Sequence, residues 1–166
     1  PRGLLMLFMR VIRDGVPRTL VSRAGGVEEL DLPLLAALQT PDAAGTRETA
    51  AELGDRRLIR PLDPPEVWCS GVTYERSRNA RMEESSVADV YALVYDADRP
   101  ELFLKDAACR RTVGPEEPIA IRSDSAWNVP EPEIGLVLGD RGAILGYTIG
   151  NDVSSLTRAI ETSVKA

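Results

Sequence analysis

Hydrophobic and polar positions alternate loosely from Leu4 to Ile12, which predicts a strand. Asp14-Gly15 is a turn signal, Thr19–Ser22 predicts a second strand, and Gly25-Gly26 marks another turn. Leu34, Leu35 and Leu38 fall at helical spacing, and Thr40-Pro41-Asp42 stops that helix. Arg57 to Ile59 is a short strand candidate. The run Pro61-Leu62-Asp63-Pro64-Pro65 is the best linker candidate in the chain. The pattern therefore divides the chain into a small α/β module over residues 1–60 and a second module over 61–166.

Glu66–Cys69 predicts a short strand ending at Ser70-Gly71. A helical region is expected from about Tyr74 to Tyr95. Its first half is densely charged, and its second half places Val87, Val90, Tyr91, Val94 and Tyr95 on one helical face. Asp98-Arg99-Pro100 ends it. Strands are then expected at Leu102–Leu104, which leads into Lys105, and at Ile119–Ile121, Glu133–Leu138 and Ile144–Ile149. A strand-rich second module with one helical region gives an α+β class.

The chain has 166 residues, enough for one domain with a small appendage. It has no histidine, and that changes the range of chemistry. Ser-His-Asp triads, Cys-His dyads, His-ligated zinc and imidazole bases are all excluded. Catalysis must run on carboxylates, Lys, Arg, Tyr, Ser, Cys or a metal held by oxygen. The net charge of −6 argues against nucleic acid and anionic membranes as partners. Cys69 and Cys109 match no zinc or redox spacing, and two thiols make no disulfide framework. With no targeting pattern and no apolar run long enough to span a bilayer, a cytoplasmic location is expected.

The candidate chemistry sits in Pro130-Glu131-Pro132-Glu133-Ile134-Gly135-Leu136-Val137-Leu138. At period two, Ile134, Leu136 and Leu138 share one strand face, and Glu131 and Glu133 share the other. A two-residue turn centred on Asp140 and Arg141 would pair Glu131 with Gly150 and place Asp152 opposite Val129. Directly paired residues share a face, so Asp152 joins both glutamates. A one-residue bulge would send it to the opposite face. Three carboxylates on one face repel one another. Such a cluster is kept by protonation, by pairing with Lys or Arg, or by binding an oxygen-seeking cation such as Mg²⁺, Mn²⁺ or Ca²⁺. From spacing alone, a solvated strand face with a turn aspartate is the alternative. Tyr74, Arg76, Arg78 and Arg81 with Glu75, Glu83 and Glu84 read as paired charges on an exposed helix, or as a lid facing an anionic substrate. Lys105 alone reads as a surface or structural lysine.

Four segments resemble the fumarylacetoacetate hydrolase superfamily: PEPEIGLVL (130–138), GYTIGNDVSS (146–155), Phe103-Leu104-Lys105 and GVTYERSRNARMEE (71–84). The resemblance is densest from Glu66 to Ser155. It implies a β-roll with flanking helices behind a small N-terminal domain, usually as a homodimer. It implies Mg²⁺ or Mn²⁺ held by Glu131, Glu133 and Asp152, with Lys105 lining the site. Members that hydrolyse C–C bonds use a His-Glu dyad after a Tyr. Here Glu75-Arg76-Ser77-Arg78 follows Tyr74, so hydrolysis of β-diketo acids is the lesser alternative. The pattern resembles the sugar-acid branch, similar to 2-keto-3-deoxy-arabinonate dehydratases. That resemblance implies a metal-dependent lyase that removes water from a 2-keto-3-deoxy sugar acid through a metal-stabilised enolate. Glu83 or Glu84 would be acid or base, Lys105 a charge stabiliser, and Tyr74, Arg76 and Arg78 substrate-binding residues. After Ser155 the family continues with strands that close the roll, whereas this chain ends at Ala166. A C-terminally truncated roll is therefore expected to expose edges and apolar surface, and an inactive binding module is a further alternative.

Overall fold

Asp14 and Gly15 form a two-residue turn, with φ of 51° and 74°, in the computed structural model, which describes residues 6–47, 57–71, 74–75 and 93–156. Both positions of such a turn need positive φ, which Asp tolerates and Gly adopts freely. The turn joins β1 (Leu7–Arg13) to β2 (Val16–Arg23) in antiparallel register from Arg13↔Val16 to Leu7↔Ser22. β3 (Gly26–Leu30) pairs with β2 and β4 (Thr46–Arg47) with β3, while β5 (Arg57–Leu58) pairs with the other side of β1. The resulting sheet has the order β4-β3-β2-β1-β5. Only a turn is expected at Gly25-Gly26, because the strand that follows carries Glu28 and Glu29. Those glutamates are matched by cations of β1 and β2: Arg23 bonds Glu28 at 2.5 Å, and Arg13 and Arg18 both face Glu29.

Helix α1 (Leu34–Gln39) follows the leucine spacing and buries Leu34 and Ala37. Thr40 N–H donates to the carbonyls of Ala36 and Ala37, and Pro41 follows directly, where a helix cannot comfortably continue. Val11, Leu20, Val21 and Leu30 from β1–β3 join Leu34 and Ala37 as the buried apolar residues. Removing each leucine from water contributes about 1.5–3 kcal/mol.

β6 (Glu66–Ser70) and β7 (Leu102–Ala107) form a separate antiparallel pair. Of the helix expected from Tyr74 to Tyr95, Glu75 and residues 93–95 are helical, and residues 76–92 lie outside the described residues. The strand expected at Ile119–Ile121 is not formed: both isoleucines are exposed in irregular chain. Pro118 supplies no ladder donor there, and no partner strand runs alongside among the described residues. β8 (Trp127–Val129), β9 (Pro132–Leu138), β10 (Ile144–Asn151) and β11 (Ser154–Leu156) complete the elements, with β10 paired to β9 and β11 to β8. The described structure is mostly β with few helices. It falls into two compact units, Pro1–Leu62 with Val113–Ala166, and Asp63–Thr112. Among the described residues, no helix is long and apolar enough to cross a membrane.

On the β9–β10 ribbon, Ile134 pairs with Ile149, Leu136 with Tyr147 and Leu138 with Ile144. Paired residues share a face. All six are exposed, Ile149 at 84%. The expected apolar face therefore exists, and it points outward.

Candidate metal centre

Glu131 lies between Pro130 and Pro132. Neither proline has an N–H to give to a ladder. Regular pairing therefore pauses between Val129↔Ser154 and Pro132↔Asn151, and both flanking stretches keep the same offset. Glu131 thus lies opposite Asp152, whose N–H donates to the Glu131 carbonyl at 2.8 Å. A side chain takes up the other donor: Glu131 N–H donates to Asn151 Oδ1 at 2.9 Å.

This register differs from the expected pairing of Asp152 with Val129. The connecting loop, Asp140–Gly142, is one residue longer than a two-residue turn, with Arg141 and Gly142 at φ of 57° and 75°. The pairing shifts again between Ile144 and Gly146, where Leu145 is bulged. Each single-residue slip alone would turn Asp152 to the opposite face. Together they move it by two positions and leave it on the face of Glu131 and Glu133.

Glu131, Glu133 and Asp152 occupy three corners of that face, and Gly150, the partner of Glu133, occupies the fourth. A Cβ added at Gly150 would meet nothing within 4 Å, so the corner is open. Across it, Glu133 and Asp152 bring carboxylate oxygens within 4.8 Å of each other. Two ionised carboxylates at that separation repel by roughly 3 kcal/mol at an effective dielectric of 20. All three carboxylates are half-buried, and Asp152 Oδ1 is shielded from solvent. The converging Glu133 and Asp152 carboxylates are hard oxygen donors beside an open corner and suit Mg²⁺ or Mn²⁺, while the Glu131 carboxylate shares their face without joining them at that distance.

The polar residues of the Gly150–Ser155 run support the cluster, a role the sequence argument missed. Ser154 Oγ donates to Glu131 Oε2 at 2.6 Å. Ser155 Oγ and Ser125 Oγ both donate to Asn128 Oδ1 at 2.8 Å, fastening β8 to β11. The signal was the density of small polar residues after the aspartate.

Lys105 lies half-buried on β7 and Tyr74 is exposed, both within the unit Asp63–Thr112. Arg76, Arg78, Glu83 and Glu84 lie outside the described residues. Next to Lys105 is the buried Asp106, which sequence reasoning passed over. Burial raises its pKa. Hydrogen bonds from the Arg111 backbone, the Thr112 hydroxyl and the Thr112 and Arg110 backbones outweigh that effect and hold it down at about 2. Cys69 and Cys109 form no disulfide.

No family model matches the chain. Its fold is similar to the fumarylacetoacetate hydrolase of Exiguobacterium antarcticum, with a TM-score of 0.58 at 23% identity over 97% of this chain and 60% of that one. With its Glu-x-Glu face and opposing aspartate, the chain thus has structural neighbours in the fumarylacetoacetate hydrolase superfamily. In sequence, the chain is 49% identical over 141 residues to the probable 2-keto-3-deoxyxylonate dehydratase of Haloferax volcanii, covering 85% of this chain and 46% of that protein. It is 51% identical over 109 residues to the 2-dehydro-3-deoxy-D-arabinonate dehydratase of Saccharolobus solfataricus, covering 63% and 36%. A solved 2-keto-3-deoxy-D-arabinonate dehydratase complexed with magnesium and 2,5-dioxopentanoate matches with a TM-score of 0.70 at 36% identity, over 90% of this chain and 56% of that one. The chain thus spans less than half the length of the curated relatives it matches.

Proposed function

We propose that the protein is a divalent-metal-dependent lyase that dehydrates a 2-keto-3-deoxy sugar acid. The observation that carries this reading is the single face shared by Glu131, Glu133 and Asp152. It is supported by similarity to dehydratases, one of them solved with magnesium. Glu131, Glu133 and Asp152 hold the ion, Mg²⁺ or Mn²⁺, and Ser154 fixes the Glu131 carboxylate through its hydrogen bond. The bound ion supplies Lewis-acid polarisation of the 2-keto acid.

The chain's own residues divide the remaining work. Glu83 or Glu84 takes the C3 proton and returns it to the C4 hydroxyl, which leaves as water while the C3–C4 double bond forms. The Lys105 ammonium offsets negative charge developing at the keto oxygen. Tyr74, Arg76 and Arg78 bind the hydroxylated tail of the substrate. In this reading residues 1–60 form a small N-terminal α/β module and residues 61–166 the β-roll catalytic part, working as a cytoplasmic homodimer in sugar-acid catabolism.

A thermal melt tests the reading. Mg²⁺ is expected to raise the melting temperature, and oxalate, a mimic of the 2-keto acid enolate, to add a larger rise in Mg²⁺ than in EDTA. Glu131→Gln is expected to remove the Mg²⁺ shift and the Mg²⁺-dependent part of the oxalate shift. Turnover of a 2-keto-3-deoxy pentonate then separates the lyase from a β-diketo acid hydrolase, against which the absence of histidine weighs. The exposed apolar face of the ribbon favours a second reading, an inactive binding module, and that reading stands if neither Mg²⁺ nor oxalate shifts the melt.

A further inference from the structure

The carboxylate of Asp106 is saturated. It accepts the N–H groups of Arg110, Arg111 and Thr112 at 3.2, 2.9 and 2.9 Å, and the Thr112 hydroxyl at 2.8 Å. The turn it fastens contains Ala108 and Cys109, both left-handed at φ of 55° and 53°. Two successive non-glycine residues in that region persist only where the surroundings over-determine them, and such strain gathers at ligand sites. What the turn delivers is charge. Lys105, Arg110 and Arg111, with Leu104, Asp106 and Ala107, line a shallow pocket of about 170 Å³.

Asp106 does not neutralise these cations, because its oxygens are already spent on four donors. Neither the Arg110 nor the Arg111 guanidinium has a carboxylate partner among the described residues, and the Arg111 side chain reaches toward the Lys105 carbonyl at 3.5 Å. Glu66, on the strand that pairs with β7, is engaged by the Trp68 indole at 2.8 Å. In a chain with a net charge of −6, two close arginines without acids are an inversion of the overall balance. The general field repels anions, but it is screened beyond about 8 Å at physiological salt, so capture there is local. Guanidinium forks suit planar carboxylates and phosphates.

We propose that Lys105, Arg110 and Arg111 form a binding pocket for one oxyanion, a carboxylate or a phosphate group. This assigns Arg110 and Arg111 an anchoring role that the dehydratase reading does not include. If that reading holds, the occupant is the carboxylate of the acid substrate; the pocket's chemistry does not depend on it.

The test is a set of thermal melts of the full chain in EDTA, with inorganic phosphate or pyruvate against chloride at matched ionic strength. At least one oxyanion is expected to raise the melting temperature above the chloride control. A larger pyruvate shift assigns the pocket to a carboxylic acid, and a larger phosphate shift to a phosphate group. The Arg110→Gln/Arg111→Gln double variant is expected to weaken the affinity for that oxyanion about tenfold or more. Its response to Mg²⁺, measured without EDTA, is expected to match the parent's, so failure of the metal site and failure of this pocket are read separately. Should the glutamine variant lose its cooperative melt, Arg110→Lys/Arg111→Lys keeps the charge, removes the forks and is expected to weaken binding by a smaller factor. The proposal is overturned if neither oxyanion exceeds chloride, or if a folded variant of either kind binds as tightly as the parent.

Discussion

The β1–β3 sheet and the β9–β10 ribbon are written in the same period-two alphabet and end in opposite environments. In the sheet, Val21 and Leu30 are buried in one cluster with Ala37 of α1, and Val11 and Leu20 are buried on the opposite face. In the ribbon, Ile134, Leu136, Leu138, Ile144, Tyr147 and Ile149 face outward. Alternation decides which side chains share a face, and only a covering layer decides whether that face is dry. The next stretch of sequence, α1, covers the face of Val21 and Leu30. The ribbon has no such cover among the described residues, and its polar face gathers the carboxylates instead.

The sharpest way to break this contrast is to truncate one residue of the sheet core. Leu20 is 1% exposed, and Leu20→Ala is expected to cost about 3 kcal/mol from lost transfer energy and a residual cavity. Urea denaturation reads it as a lower midpoint at unchanged slope. A loss below about 1 kcal/mol would mean that the sheet is not the stability core.

The same contrast shows how much was legible beforehand. The helix at Leu34 and Leu38 and the hairpin turn at Asp14-Gly15 were legible because spacing and turn chemistry are local. The common face of Glu131, Glu133 and Asp152 was also legible, although the pairing was misplaced by two residues: side-chain parity survives an even error and not an odd one. The bulge at Leu145 and the three-residue loop carry no strong local signal. β3 was hidden because Glu28 and Glu29 read as polar until Arg13, Arg18 and Arg23 are placed beside them. Asp106 was hidden more deeply, since its partners are mostly backbone N–H groups, which every sequence contains. The roles of Arg76, Arg78, Glu83 and Glu84 stay where the resemblance put them, as proposals.

The next largest effects probe the ribbon's polar face. With Mg²⁺ at about a hundredfold excess over its dissociation constant, binding stabilises the folded state by about 2.7 kcal/mol. Glu133→Gln, which removes one of the two carboxylates within 4.8 Å, is expected to abolish most of that gain in a thermal melt. Equal Mg²⁺ shifts in parent and variant would take Glu133 out of the site. Ser154→Ala is expected to act more mildly, weakening Mg²⁺ affinity about tenfold, or about 1.4 kcal/mol, through loss of the 2.6 Å bond that orients Glu131. Calorimetric titration distinguishes that weakening from outright loss.

Asp106 offers a test confined to acid. Its folded pKa of about 2 lies below the ordinary 3.8, so its stabilisation is fully present above about pH 4 and is lost as pH falls through about 2. The pH profile of urea midpoints is expected to fall in that window and to lose this component in Asp106→Asn. An unchanged acid slope in the variant would assign the fall to other carboxylates.

The smallest expected effect is the one that most directly asks whether the ribbon face is covered. Ile149 is 84% exposed, so Ile149→Ser removes little buried area and is expected to change stability by no more than about 0.5 kcal/mol. The contrast with Leu20→Ala is then at least about fivefold for two apolar residues on strands of the same alternating pattern. If Ile149→Ser instead costs more than about 1.5 kcal/mol, the side chain is desolvated in solution, and the face is packed against further polypeptide. Repeating the melt over a range of protein concentrations then identifies the cover. A cost that grows with concentration means a second copy of the chain, because association stabilises by mass action, and a cost that does not means cover from within the same chain.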